Sequence, residues 1–124
     1  MNSFKDLIAY KKAEEQADEI FEISKTFPIE ERYSLTGQIR RGSRSVCICI
    51  AESYRKRIYP AHLVSKLSDA DMENAETEVW LDFSKDCKYL TVEKYDKLVD
   101  RNNEIGKLLG YMIKHPEKYC SYDE

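Results

Sequence analysis

Glycine and proline are scarce in this sequence, with four and three among 124 residues. So few turn formers exclude a β-sandwich and a long disordered tract. Histidine occurs only twice, at His62 and His115. The di-metal carboxylate site of a helical bundle needs Glu-x-x-His on each of two helices, because that spacing puts both ligands on one inward face. Tyr59 and Met112 stand three residues before the two histidines, so the pattern is missing. The cysteines, Cys47, Cys49, Cys87 and Cys120, include no Cys-x-x-Cys pair, which leaves a zinc site without its usual spacing. Cys47 and Cys49 are two apart and point to different sides of a helix. In a reducing compartment their default state is the free thiol.

The longest apolar run, residues 46–51, is far short of the roughly 20 residues a membrane span needs. The opening MNSFKDLIAY has neither the basic nor the apolar region of a signal peptide. No glycine-rich phosphate loop and no nucleophile elbow occur. These absences predict a cytoplasmic protein that is not an enzyme, with no catalytic, cofactor-binding or metal residues and no membrane partner.

What remains is an ordinary soluble composition, 42% hydrophobic and 35% charged, long enough for one domain with its own core. Apolar residues recur at three- and four-residue spacing, and no stretch alternates with the period of a strand. Four helices are predicted, over residues 5–26, 30–57, 61–88 and 92–114. Ser3 with Asp6 reads as a capping box before the first, and Thr91 as the N-cap of the last. Pro28, Pro60 and Pro116 punctuate the chain. Short links make sequential helices antiparallel neighbours, so the expected fold is an all-α, antiparallel up-down four-helix bundle. It spans residues 1–116, followed by a polar, frayed tail over 117–124.

The second helix places Leu35, Ile39, Gly42, Val46, Cys49, Ile50 and Ser53 on one stripe and Arg40, Arg41, Arg44 and Arg55 on the other side. Small residues near Gly42 would admit a close neighbour. The third helix carries two stripes. Leu63, Leu67, Ala70, Asn74, Thr77 and Leu81 form one; Met72, Ala75, Val79, Trp80, Phe83 and Cys87 form the other, nearly opposite. A peripheral bundle helix needs one apolar face. A second face predicts burial against a partner, with Met72, Val79, Trp80 and Phe83 as the candidate oligomer interface.

Charge is also divided between these helices. Residues 32–57 hold seven Lys or Arg and one acid, whereas residues 61–90 hold three Lys and seven acids. Inter-helix or inter-subunit ion pairing accounts for this division. The rival reading makes Arg40, Arg41, Arg44 and Arg55 a surface for an anion, RNA or DNA. The acids of the third helix are spread around its circumference, as on a solvated face rather than a cation site. A third reading, an enzyme whose site forms only at subunit contacts, centres on Glu52 and His62.

Several segments together resemble a known family: Phe4-Lys-Asp-Leu-Ile, the stretch from Phe27-Pro-Ile-Glu-Glu-Arg-Tyr to Arg41, Ser45-Val-Cys-Ile-Cys-Ile-Ala-Glu-Ser, Trp80-Leu-Asp-Phe and Cys87-Lys-Tyr-Leu. The chain is similar, over roughly residues 4–113, to the four-helix bundle proteins of the 23S rRNA intervening-sequence family. That resemblance implies a bacterial up-down bundle assembling as a homopentamer, with no enzymatic activity and an undefined role, either a scaffold or a binding module. A relative associated with diversity-generating retroelements shares the fold and binds nucleic acid and a reverse transcriptase. This sequence departs from the family at Cys49 and Ser53, where Asn and Gly are usual, while Ile50, Ala51 and Glu52 remain. Without that glycine an αL break is harder, so the second helix is expected to run on.

Overall fold

A computed structural model describes residues 3–121. Among them are four α-helices and no strand: α1 Ile8–Ser24, α2 Leu35–Arg55, α3 Pro60–Asp86 and α4 Val92–Lys114. Short 3₁₀ turns precede α1 at Phe4–Asp6, precede α2 at Ile29–Glu31 and follow α4 at Pro116–Lys118.

The first predicted helix is divided in two. Ser3 and Asp6 do form a reciprocal cap: Ser3 Oγ accepts from the Lys5 amide at 3.1 Å and Asp6 accepts from the Ser3 amide at 3.2 Å. That cap starts only the 3₁₀ turn. Leu7 then takes an extended backbone, φ −66° and ψ 132°, and its side chain is buried in the core. The α-helix proper begins after it.

The second helix also begins later than its sequence suggests. Glu31 accepts the Ser34 hydroxyl at 2.5 Å and the Leu35 amide at 3.4 Å, so its carboxylate lies where the first amides of α2 need an acceptor. At the other end α2 runs past Ser53 to Arg55, as expected without a glycine there. Ser53 is fully buried and donates its hydroxyl to Ile50 O at 2.6 Å.

Pro60 opens α3 at its first turn, where a missing amide costs nothing. The helix closes with a Schellman pair: the Tyr89 amide donates to Ser84 O and the Lys88 amide to Lys85 O, both at 2.9 Å. This turn forces Lys88 to φ 64°, a left-handed conformation that glycine would adopt more easily. Thr91 caps α4 by accepting from the Lys94 amide at 3.2 Å.

Each helix packs on two others, α2 and α4 both lying against α1 and α3. The approach of α2 to α3 is close at Gly42, where a Cβ would stand 3.1 Å from Thr77 Oγ1. The apolar core falls into two clusters. One contains Leu7, Ala13, Val46, Ile50, Leu63, Leu67, Ile105 and Leu109. The other contains Ile20, Ile39, Leu81, Leu90 and Leu98.

Between these clusters, in the order of every helix, stand buried polar residues: Gln16 on α1, Ser43 on α2, Asn74 and Thr77 on α3, and Asn102 on α4. Asn74 Nδ2 donates to Asn102 O at 2.9 Å, and Asn102 Nδ2 donates to Asn74 O at 2.8 Å. Gln16 Nε2 donates to Leu98 O at 2.7 Å and to Asn102 Oδ1 at 3.2 Å. Arg101, whose side chain is 9% exposed, donates to Gln16 Oε1 at 3.1 Å and pairs with Glu19 at 2.8 Å and Glu15 at 3.0 Å. A buried layer of this kind makes slippage of one helix past another costly, because any shift leaves amides without partners.

The expected frayed tail is, as far as Ser121, a docked segment. Tyr119 and Cys120 pack against the first apolar cluster, and the Ser121 amide donates to Arg57 O at 3.0 Å. The rest of that expectation falls on residues 122–124, outside the described residues.

Candidate functional site

The two stripes of α3 have different fates. Leu63, Leu67, Ala70, Asn74, Thr77 and Leu81 are buried. Met72, Val79 and Phe83 lie on the outer face, 63%, 50% and 50% exposed, and Ala75 and Cys87 are exposed with them. Trp80 leaves this outer stripe. Its ring turns partly inward against the second apolar cluster and meets Phe83 with centroids 6.0 Å apart. Its Nε1 is buried and has no hydrogen-bond partner among the described residues. Asp71, Asp82 and Asp86 are exposed along α3 beside the stripe, and Asp82 accepts a hydrogen bond from the Tyr95 hydroxyl at 2.5 Å.

The four arginines of α2 do not form one row. Arg40 donates from Nε to Ser24 Oγ at 2.7 Å and lies over the Phe21 ring, 4.7 Å from its centroid. Arg44 lies over the same ring at 5.2 Å, and Lys25 at 5.0 Å. Arg41 turns the other way, towards α3, and pairs with Glu76 at 3.1 Å and Glu73 at 3.6 Å. Arg55 is exposed near the end of α2, on the rim of a groove. Part of the charge division between α2 and α3 is thus inter-helix pairing through Arg41, with a further pair of reversed sense between Glu52 and Lys66 at 3.7 Å.

That groove lies against the Phe4–Asp6 turn, α1 and α2, with Lys66 of α3 at its edge, and has Phe4, Tyr10, Ile48 and Ala51 on its apolar surface. Cys47 faces it from α2, and burial, with Glu14 and Asp18 nearby, pushes its thiol up to about 12. Burial also raises the Cys49 thiol, helped by Glu52 and Asp69. Among the described residues all four cysteines are free thiols.

His62 is exposed and stacks on Tyr59 with centroids 5.6 Å apart; Glu52 is engaged by Lys66. His115 stacks on Tyr111 at 4.5 Å. No group of three or more His, Cys, Asp or Glu among the described residues is placed to hold a metal ion. No helix among them is long and apolar enough to cross a membrane.

Sequence periodicity located the outer face of α3 and the arginines but missed the partners that hold the arginines, because Phe21, Ser24 and Glu76 lie on other helices. The groove was missed too. Its only signal was the pair Ile48 and Ala51, lying off the buried stripe of α2.

Comparison with known proteins places this architecture. No curated protein matches the chain. Among solved structures, the chain is similar to a protein of unknown function from the S23 ribosomal protein family of Bacteroides thetaiotaomicron, with 32% sequence identity and a TM-score of 0.79. The similarity covers 89% of this chain and 98% of that one. The family model of the 23S rRNA-intervening sequence protein matches residues 5–111. With a match across most of its length, this chain belongs to the 23S rRNA-intervening sequence protein family.

Proposed function

We propose that this protein is a non-enzymatic, cytoplasmic scaffold or binding module that works as a homo-oligomer of antiparallel up-down bundles, with five copies the expected number. The cross-helix pairs support the antiparallel reading. Lys12 meets Glu104 while Glu19 meets Lys97, and Arg41 meets Glu76 while Glu52 meets Lys66. Asn74 meets Asn102 while Asp82 meets Tyr95.

The observation that carries self-association is the outer face of α3. Met72, Val79 and Phe83 stay at least half exposed although the bundle core is complete beneath them. Covering each such side chain contributes about 1–2 kcal/mol, and a row of them along one helix is a contact surface rather than a scatter of single residues. Light scattering on the full chain at micromolar concentration tests this. The expected result is a mass several times that of one chain; a monomer overturns the proposal.

A second reading is a nucleic-acid-binding accessory protein. Its support is the cluster at Phe21, where Arg40, Arg44 and Lys25 all lie over one ring. Repeated once per subunit, weak phosphate contacts there would act together. Binding of a structured RNA, measured across salt, should weaken as salt rises and fall further in Arg40→Glu/Arg44→Glu. No binding at low salt, or no effect of the charge reversal, removes this reading.

A further inference from the structure

The docked tail lines a separate cavity, beside the start of α1 and the end of α2. Its volume is about 360 Å³, within the range of small-molecule sites. Leu7, Leu63 and Met112, all buried in the core, supply its apolar lining. Tyr54 and Arg57 line it from the end of α2 and the turn after it, and Lys118, Tyr119 and Ser121 from the tail. The cavity shares no lining residue with the groove beside Phe4 and none with the outer face of α3.

The two charged side chains in this lining are both cations. Arg57 Nη1 donates to Tyr54 O at 2.9 Å, and the guanidinium lies over the Tyr54 ring, 3.9 Å from its centroid. Lys118 Nζ donates to the Tyr111 hydroxyl and lies over that ring at 4.9 Å. The bond to Tyr111 raises the titration of Lys118, so its ammonium stays charged throughout the neutral range. Among the described residues no carboxylate lines the cavity. The acids next to it in sequence have partners: Asp6 accepts from the Ser3 amide at 3.2 Å, and Glu117 lies 3.5 Å from His115 Nδ1. Asp123 and Glu124 follow Ser121 in the sequence, outside the described residues.

We infer that this cavity binds a small organic monocarboxylate, with its carboxylate on Arg57 and Lys118 and its apolar body against Leu7, Leu63 and Met112. A guanidinium presents paired donors that match the two oxygens of a carboxylate. The volume holds roughly a dozen non-hydrogen atoms at about 30 Å³ each. An inorganic anion would leave the apolar lining uncovered, and a neutral molecule would leave both cations without a counter-charge. The cavity is complete within one chain, so the inference does not rest on the self-association proposed above.

The probe is phenylbutyrate, an apolar body of this size bearing one carboxylate. It is titrated into the full chain and followed by calorimetry and by amide chemical shifts. The expected result is one saturable site per chain with a dissociation constant at or below about 1 mM. The shifts should centre on Ser53, Tyr119 and Ser121, which line the cavity. Phenylbutyramide has the shape without the charge, and inorganic phosphate the charge without the body. Each should bind at least ~10-fold more weakly, the loss expected when a charge-assisted hydrogen bond or the apolar contact is missing. Arg57→Gln and Lys118→Gln should each weaken phenylbutyrate at least ~5-fold. Lys118 is exposed, so its variant should keep the fold even where Arg57→Gln, at a half-buried position, does not. Circular dichroism checks both.

No saturable binding at concentrations about tenfold above that constant would overturn the inference. So would phenylbutyramide or phosphate binding as tightly as phenylbutyrate, shifts centred elsewhere, or a folded Lys118→Gln that binds like the wild type.

Discussion

Asn74 and Asn102 each donate the side-chain amide to the other's backbone carbonyl, at 2.9 and 2.8 Å, across the middle of the core. This reciprocal bond locks α3 to α4 at one register. Asn102 also accepts from Gln16, so a single residue joins three helices. Asn102→Ala removes these bonds and leaves a small cavity beside buried polar groups. The expected cost is about 2–4 kcal/mol. Urea denaturation measures it, and a cost under about 1 kcal/mol would contradict the role given to this layer.

The bundle was legible in the sequence because three- and four-residue spacing reports directly on which face a helix buries. The core positions on α2 and the inner stripe of α3 followed from that spacing. Thr91 was legible as a cap because a hydroxyl before a helical run has one local use.

The polar layer was not legible. Gln16 and Asn102 look like solvent-facing residues until a partner on another helix satisfies them, and that partner is 86 positions away for this pair. Asn74 appeared on the inner stripe without its reason for being there. The docked tail escaped for the same cause, since Tyr119 gains its place only from a core that the tail's own composition does not reveal. The arginines were read from one helix wheel, whereas Phe21 and Glu76 divide them between two neighbours.

Lys88 adopts φ 64° to complete the Schellman turn after α3. The left-handed region costs a side-chain-bearing residue about 1–2 kcal/mol relative to glycine. Lys88→Gly should therefore stabilise the fold by up to about 1 kcal/mol, part of the relief being offset by the greater freedom of glycine in the unfolded chain. Thermal or chemical unfolding checks this. A destabilised variant would mean that the lysine side chain contributes more than the turn conformation costs.

Cys47 is held as a neutral thiol by burial and by Glu14 and Asp18, with its titration pushed up to about 12. The thiolate is the reactive form. At pH 8 its labelling by a thiol reagent should be on the order of a thousandfold slower in the folded chain than in the denatured one. Peptide mapping of the labelled protein follows each cysteine separately. Rapid modification of Cys47 under native conditions would contradict its half-buried, acid-flanked environment.

The folded state should weaken at both ends of the pH range. Hydrogen bonding to Glu31 raises Tyr89 to about 12, and hydrogen bonding to Asp82 raises Tyr95 to about 12. A titration raised by folding favours the native state below the ordinary value of 10.0. That contribution is lost as pH rises from about 10 to about 12. Glu31 is lowered, first by the Ser34 hydroxyl and then by Tyr89. Its contribution is present above its ordinary value of 4.5 and is lost as pH falls below it. Melting temperature against pH should show both limbs, and Tyr95→Phe should flatten the alkaline one. An unchanged alkaline limb in that variant would contradict the assigned bond.

The central claim is that the exposed face of α3 is covered by another copy of the chain. The most direct test is the solution mass at micromolar concentration, by light scattering, for the wild type and for Val79→Glu/Phe83→Glu. The account predicts an assembly near five times 14.6 kDa for the wild type and a folded species of 14.6 kDa for the variant. A wild type of 14.6 kDa, or a variant that assembles like the wild type, would contradict it.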